Sequence, residues 1–211
     1  VFLAVFALSI YSKNVKERSH WQKTFEDDFD YSEKTIDWAF FPDLNDTVWT
    51  LHEGTLRGSF DGFAFARLQR RFNRDMMIEC DIIADFNDLY NVGVFIFSEH
   101  PDSGYCFHLN RNGQALHGMS YPGSSFLFRN TPVYMIPLEK KNHIEIERIE
   151  NTITFTINGK TVSKVYDCFP PLGKGHDRNG FYINGSSARF DNIKIYRRAI
   201  PLLPSPALVA D

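Results

Sequence analysis

The stretch GFYINGSSARFDNIKIYRR, Gly180 to Arg198, decides the fold. Apolar residues recur at every second position on either side of the Asp191-Asn192 pair, the period of a half-buried strand. The run FEDDFD, Phe25 to Asp30, has the same alternation beside an acidic cluster. Two such segments at opposite ends of the chain predict that its ends pair in one sheet of a single β-sandwich. A sandwich is a platform, so function is sought on its faces and loops.

Between these ends turn signals arrive about every eight to twelve residues, and no segment sustains a helical period. Strands are expected over 23–29, 48–52, 55–58, 64–69, 76–86, 91–97, 105–110, 114–119, 126–128, 143–149, 152–158, 161–165, 180–183 and 189–196. Asn158-Gly159 between TITFTI and KTVSKV marks a two-residue hairpin, because a type I′ turn requires positive φ at both central positions. The prolines and glycines of FPPLGKG, Phe169 to Gly175, place a crossing loop before the final strand. The pattern as a whole predicts an all-β, two-sheet antiparallel jelly roll.

Composition agrees. The chain has 211 residues, 43% hydrophobic and 23% charged, enough for one well-buried core. Its 20 Phe, 9 Tyr and 3 Trp favour pleated, half-buried surfaces. A formal net charge of −3 supplies no basic field for phosphates, which argues against a nucleic-acid partner. The domain is expected over 21–198, followed by a proline-rich tail over 199–211. Residues 1–20 open with VFLAVFALSIYS, shorter than the roughly 20 apolar residues of a spanning helix. They read as a truncated export signal, with a core-packing segment or an uncleaved anchor as alternatives, so a secreted or periplasmic location and no stable membrane span are expected.

Cys80, Cys106 and Cys168 lack a CxxC spacing and allow at most one bridge; small buried hydrophobes are the simpler reading. No HExxH, HxH or GxSxG pattern occurs. On YCFHLN, strand parity sends Tyr105, Phe107 and Leu109 to the core and His108 and Asn110 to the open face, with Arg67 and Gln69 of FARLQR as companions there. On MIECDIIAD, Glu79, Asp81 and Asp85 share one parity, and retaining glycosidases use two carboxyl groups roughly 5 Å apart. These three are the candidate catalytic residues, against the alternative of a solvated strand face. The loop from Met119 to Met135 carries Tyr121 and Arg129 among its aromatics and turn formers, which suits either a specificity element or an extra hairpin.

The order FEDDFD, WTLHEGTLRGS, DMMIECDIIADFNDLYNVGVFIF, GYCFHLNRNGQALHGM, KKNHIEIERIENTITFTINGKTV and NGFYINGSSARFDNIKIYR resembles the concanavalin A-like lectin/glucanase superfamily, most closely the laminin-G-like and 3-keto-disaccharide hydrolase type of domain. The resemblance implies curved antiparallel sheets with a saccharide on the concave face, to which strand parity and the loop reading assign Arg67, Gln69, His108, Asn110, Tyr121 and Arg129. It also implies a structural Ca²⁺ held by Asp27, Asp28 and Asp191, where the alternative is a local bulge at Asp191-Asn192. The glucanase branch carries Glu-x-Asp-x-Glu or Glu-x-Asp-x-x-Glu, and Ile83 and Ala84 stand where its last Glu falls. The expected function is therefore a secreted domain that binds a polysaccharide or oligosaccharide, with hydrolysis open. The alternative is a non-catalytic adhesive sandwich that contacts proteins.

Overall fold

The computed structural model describes residues 20–30, 37–42, 48–72, 75–85, 91–98, 100, 104–110, 115–119, 140–167 and 175–199. They form twelve strands: β1 (Trp21–Asp27), β2 (Trp38–Phe41), β3 (Trp49–His52), β4 (Thr55–Leu68), β5 (Met76–Asp85), β6 (Asn91–Ile96), β7 (Tyr105–Asn110), β8 (Ala115–Met119), β9 (Asn142–Ile149), β10 (Thr152–Ile157), β11 (Lys160–Tyr166) and β12 (Asn179–Arg198). The apolar N-terminal run, the Met119–Met135 loop beyond its first residue, the 126–128 strand and the proline-rich tail lie outside the described residues.

The strands make one continuous antiparallel network in the order β11-β10-β9-β5-β12-β6-β7-β8, with β1 and β4 on the other edge of β12 and β2 and β3 on β4. As the alternation predicts, the chain ends pair, Trp21 opposite Arg198 and Asp27 opposite Ile193. The long strands β4 and β12 organise everything else. Residues Asn179–Asn184 of β12 pair with β6, and Ser187–Arg197 pair with β5. The change of partner falls at Gly185, at φ 54°, where the register with β4 also slips between Asn184 and Ser186. Strands that cross between layers at such bulges make the corners of a sandwich.

Ring contacts prove that the network folds over. Phe107 of β7 lies 5.1 Å from Phe155 of β10, although four strands separate them along the hydrogen-bonded path. A flat sheet would hold these strands roughly 24 Å apart. Two layers result, one built on β5, β9, β10 and β11 and the other on β6, β7, β8, β2 and the C-terminal part of β4. This is the expected jelly-roll sandwich.

The core between the layers contains an aromatic spine. Trp38 stacks on Phe181 at 5.5 Å, Phe181 on Phe190 at 4.4 Å, and Phe190 approaches Trp49 at 6.2 Å. Tyr105, Phe107 and Leu109 point inward, as parity predicts, as do Ile78, Cys80 and Ile82. Arg148 breaks the apolar rule: it is 1% exposed, its guanidinium lies 4.4 Å over the Phe97 ring, and its Nε donates to the Glu150 carbonyl at 3.1 Å. Nearby, the buried Tyr105 hydroxyl bonds the Asp167 carboxylate, tying β7 to the residue after β11. This buried polar pair of contacts links one layer to the other.

Local chemistry explains the turns. Asn158 at φ 50° and Gly159 at φ 76° make the predicted β10–β11 hairpin, and Glu53 and Gly54 at φ 50° and 67° repeat that geometry between β3 and β4. Three expectations need correction. The segments 55–58 and 64–69 are one strand, as are 180–183 and 189–196, because a bulge bends each strand without ending it. β2 was not expected, since WAFF is four residues long and three of them are large and apolar.

Candidate functional site

Two of the proposed catalytic carboxylates, Glu79 and Asp81, lie on the outer face of the β5 layer. Cys80 points into the core, where burial pushes its thiol well above the ordinary range, so Glu79 and Asp81 on either side point away. Cross-strand register gives each a partner on β9: Glu79 faces Glu145 and Asp81 faces His143. On the β12 side Asp81 faces Asp191 and Glu79 faces Lys194. Asp85 is opposite Ser187 at the end of β5; its side chain lies outside the described set.

Asp81, 12% exposed, is heavily bonded. His143 Nδ1 lies 2.9 Å from Oδ1, Asn192 Nδ2 donates to Oδ2 at 2.9 Å, and Lys141 Nζ stands 3.3 Å from the same oxygen. Burial alone would raise this carboxyl, but the hydrogen bonds from His143, Asn192 and Lys141 outweigh it and hold Asp81 below the usual carboxylate range. Asp81 is therefore a charged anchor.

Glu79, 6% exposed, accepts a hydrogen bond from the Tyr196 hydroxyl at 3.1 Å. Donor atoms of Glu79, His143 and Glu145 lie within 4.8 Å of one another. That spacing is compatible with metal ligation or with a carboxylate pair, although Glu79 is almost closed to solvent.

The residues suggested for calcium have other partners. Asp27, 8% exposed, accepts the Phe29 amide at 2.9 Å through Oδ1 and the Trp38 indole N–H at 2.8 Å through Oδ2. Asp28 Oδ1 accepts the Asp30 amide at 3.2 Å. Asp191 accepts the Asn192 amide at 2.6 Å and its side-chain amide at 2.9 Å, and Asn192 sits at φ 51° where the β12–β5 register slips. The local bulge read from Asp191-Asn192 is thus present.

Arg67 lies on the opposite outside of the molecule. On β4, Ala64, Ala66 and Leu68 face the core, which turns Phe63, Phe65 and Arg67 outward. There Phe65, Phe95, Cys106 and Tyr182 form a second cluster with Phe63 packed against it. Phe41 of β2 stacks on Phe65 at 4.5 Å yet keeps 41% of its surface exposed, and the Arg67 guanidinium lies 5.3 Å over the Phe41 ring. His100 sits edge-on to Phe65 at 4.9 Å. The result is an aromatic ledge with a cationic rim.

The expected companions of Arg67 are dispersed. Gln69 is exposed and its Nε2 donates to the Trp38 carbonyl at 3.3 Å. The register runs from Arg67 through Gly180 and Phe95 to Cys106, so β12 and β6 stand between Arg67 and β7. His108 is opposite Gly93 and Asn110 opposite Asn91, about three strand spacings or roughly 14 Å from β4. Tyr121 and Arg129 lie outside the described residues. Because the core separates the two outer faces, Glu79 and Asp81 do not share one groove with Arg67. Sequence reasoning missed Phe41, Phe63, Phe65 and Tyr182; the usable signal was the small-residue parity of Ala64 and Ala66.

No protein-family model matches the chain, and no curated protein matches its sequence. Solved structures do. A carbohydrate-binding module, CBM66, from Bacillus subtilis superposes with a TM-score of 0.61 at 16% identity, over 74% of this chain and 93% of that one. An endo-β-1,3-glucanase from Pyrococcus furiosus gives 0.64 at 12% identity, over 85% and 95%. A Bacillus subtilis protein of unknown function with a galectin-like fold gives 0.60 at 11%, over 84% and 99%. At these identities the likeness is one of fold, that of an antiparallel jelly-roll β-sandwich. Among the described residues no helix is long and apolar enough to cross a membrane.

Proposed function

We propose that this chain is a saccharide-binding module that contacts its glycan through the Phe41 ledge and does not cleave it. The observation that carries this is the exposure of Phe41, an aromatic ring stacked flat on Phe65 and rimmed by Arg67. Sugar rings present C–H faces that stack on such rings, and their hydroxyls accept from a guanidinium. The carbohydrate-binding and glucanase structures of the same fold support the choice of ligand class. In this reading the protein works outside the cytoplasm, secreted or periplasmic, where polysaccharides are met.

Hydrolysis is disfavoured on the other face. A retaining mechanism needs a protonated acid and an accessible nucleophile, whereas Asp81 is held ionised and Glu79 is nearly closed to solvent. Titration of a panel of neutral oligosaccharides and polysaccharides into wild type and Phe41→Ala tests the proposal. Binding that falls about tenfold or more in the variant, with no reducing ends released by either protein, is expected. Equal binding by both would remove the ledge as the site. Binding to no glycan would favour the protein-contacting alternative.

A further inference from the structure

We infer that a second, separate cleft receives the negatively charged group of an acidic saccharide, a carboxylate- or sulfate-bearing sugar. The cleft has a volume of about 260 Å³ and forms where the chain leaving β4 passes the start of β5 and the end of β12. Arg70, Arg71 and Arg197 line it together with Phe72, Met76 and Tyr196. In a chain of net charge −3, three guanidinium groups around one hollow are a local reversal of sign.

The ion pairs show which cations remain available. Arg70 is held by Asp37 through Nε at 2.8 Å and Nη2 at 3.2 Å. Arg71 meets Asp177 more loosely, its Nε lying 3.4 Å from a carboxylate oxygen, and keeps more than half of its side chain exposed. Arg197 makes no ion pair among the described residues. The one acid on the lining, Asp75, accepts the Glu150 amide at 2.7 Å and lies 3.5 Å from Arg198, so it does not neutralise Arg197. Arg71 and Arg197 thus offer forked donors suited to a planar carboxylate or a sulfate.

The walls identify the rest of the ligand. Phe72, partly exposed above the buried Met76, gives apolar surface beside the charge, and the Tyr196 hydroxyl is turned to Glu79. A bare inorganic anion has no use for such a wall, while a sugar ring has one. The volume lies below the roughly 300–1,000 Å³ of drug-sized pockets, which suits one charged monosaccharide unit. The inference deepens the saccharide-binding reading and rests on it for ligand class, but it concerns different residues.

Amide chemical shifts of the whole chain, followed by NMR during titration with methyl β-glucuronide, methyl β-glucoside and sodium sulfate, test it. The uronide is expected to move the Thr24, Tyr196 and Arg197 amides, and the glucoside to leave them in place. Affinity for the uronide should fall about tenfold or more in Arg197→Ala and in Arg71→Ala, recover in part in Arg197→Lys, and weaken with added salt. Unmoved amides, equal affinity in Arg197→Ala, or an equal response to the glucoside would overturn the inference. Sulfate binding as tightly as the uronide would reduce the cleft to a simple anion site and overturn its saccharide part. Binding of neutral oligosaccharides at Phe41 is read independently, so failure of the cleft and failure of the ledge are distinguishable.

Discussion

Asp27 gives the sharpest test of how the first strand is locked to the core. Its two carboxylate oxygens receive the Phe29 amide and the Trp38 indole N–H, both in buried surroundings. In Asp27→Asn one oxygen becomes an NH₂ group, so a donor confronts a donor. The loss of a charge-assisted bond is worth about 1.5–3 kcal/mol, and a buried donor left unsatisfied adds about 1–3 kcal/mol. These terms overlap, and a total near 3 kcal/mol is expected. For a domain of this size that lowers Tm by roughly 6–12 °C. Urea and thermal unfolding, followed by tryptophan fluorescence, measure it. Trp38→Phe removes the donor itself, so the double variant should be less destabilised than the sum of the singles by more than about 1 kcal/mol. EDTA should leave the gap between wild type and Asp27→Asn unchanged, since the Phe29 amide and the Trp38 indole N–H engage both carboxylate oxygens. A gap under about 0.5 kcal/mol, additive singles, or a gap abolished by EDTA would refute the reasoning.

Two other perturbations follow from the same structure. Gly180→Ala places a Cβ 2.1 Å from the Ala66 carbonyl oxygen and 2.6 Å from the Phe95 ring, so β4 and β12 must separate; a loss of about 3 kcal/mol is expected by thermal unfolding, against about 1 kcal/mol for Gly159→Ala, whose Cβ meets nothing within 4 Å and pays only for its positive φ. A Gly180→Ala protein as stable as Gly159→Ala would contradict the close approach. For Asp81, the folded pKa lies below the unfolded value near 3.9, so its contribution is complete above that pH and is lost as pH falls through the folded value. The stability gap between wild type and Asp81→Asn, measured by urea unfolding from pH 7 to pH 3, should therefore be constant near neutrality and shrink on acidification; a gap that grows would contradict the hydrogen-bonded anchor.

Much of the fold was legible in the sequence because its cues are local. The alternation of Phe181 to Ile195, the Asn158-Gly159 turn and the parity of Tyr105, Phe107 and Leu109 each depend on neighbours within a few residues. The continuity of β4 and β12 was hidden by Gly185 and Gly62, which look like turns but serve as bends between layers. Site geometry was less accessible. The parity of Glu79 and Asp81 could be read, but their partners Glu145 and His143 come from β9, more than sixty residues away, through a register set by tertiary packing. Arg148 is inward for the same reason: its sequence reads as a solvated Glu-Arg strand, and only Phe97 and Tyr105 from the other layer make a place for it. Phe63 and Phe65 were concealed by the opposite effect, since large apolar residues face outward while Ala64 and Ala66 face the core.

Oligosaccharide binding by wild type and Phe41→Ala, measured by isothermal titration after a glycan array has selected the ligand, tests the central claim most directly. The ledge predicts a glycan that binds wild type and binds the folded variant about tenfold or more weakly, because the loss of one stacking ring is worth about 1.4 kcal/mol or more. Undiminished affinity in Phe41→Ala, or an array on which nothing binds, would contradict it.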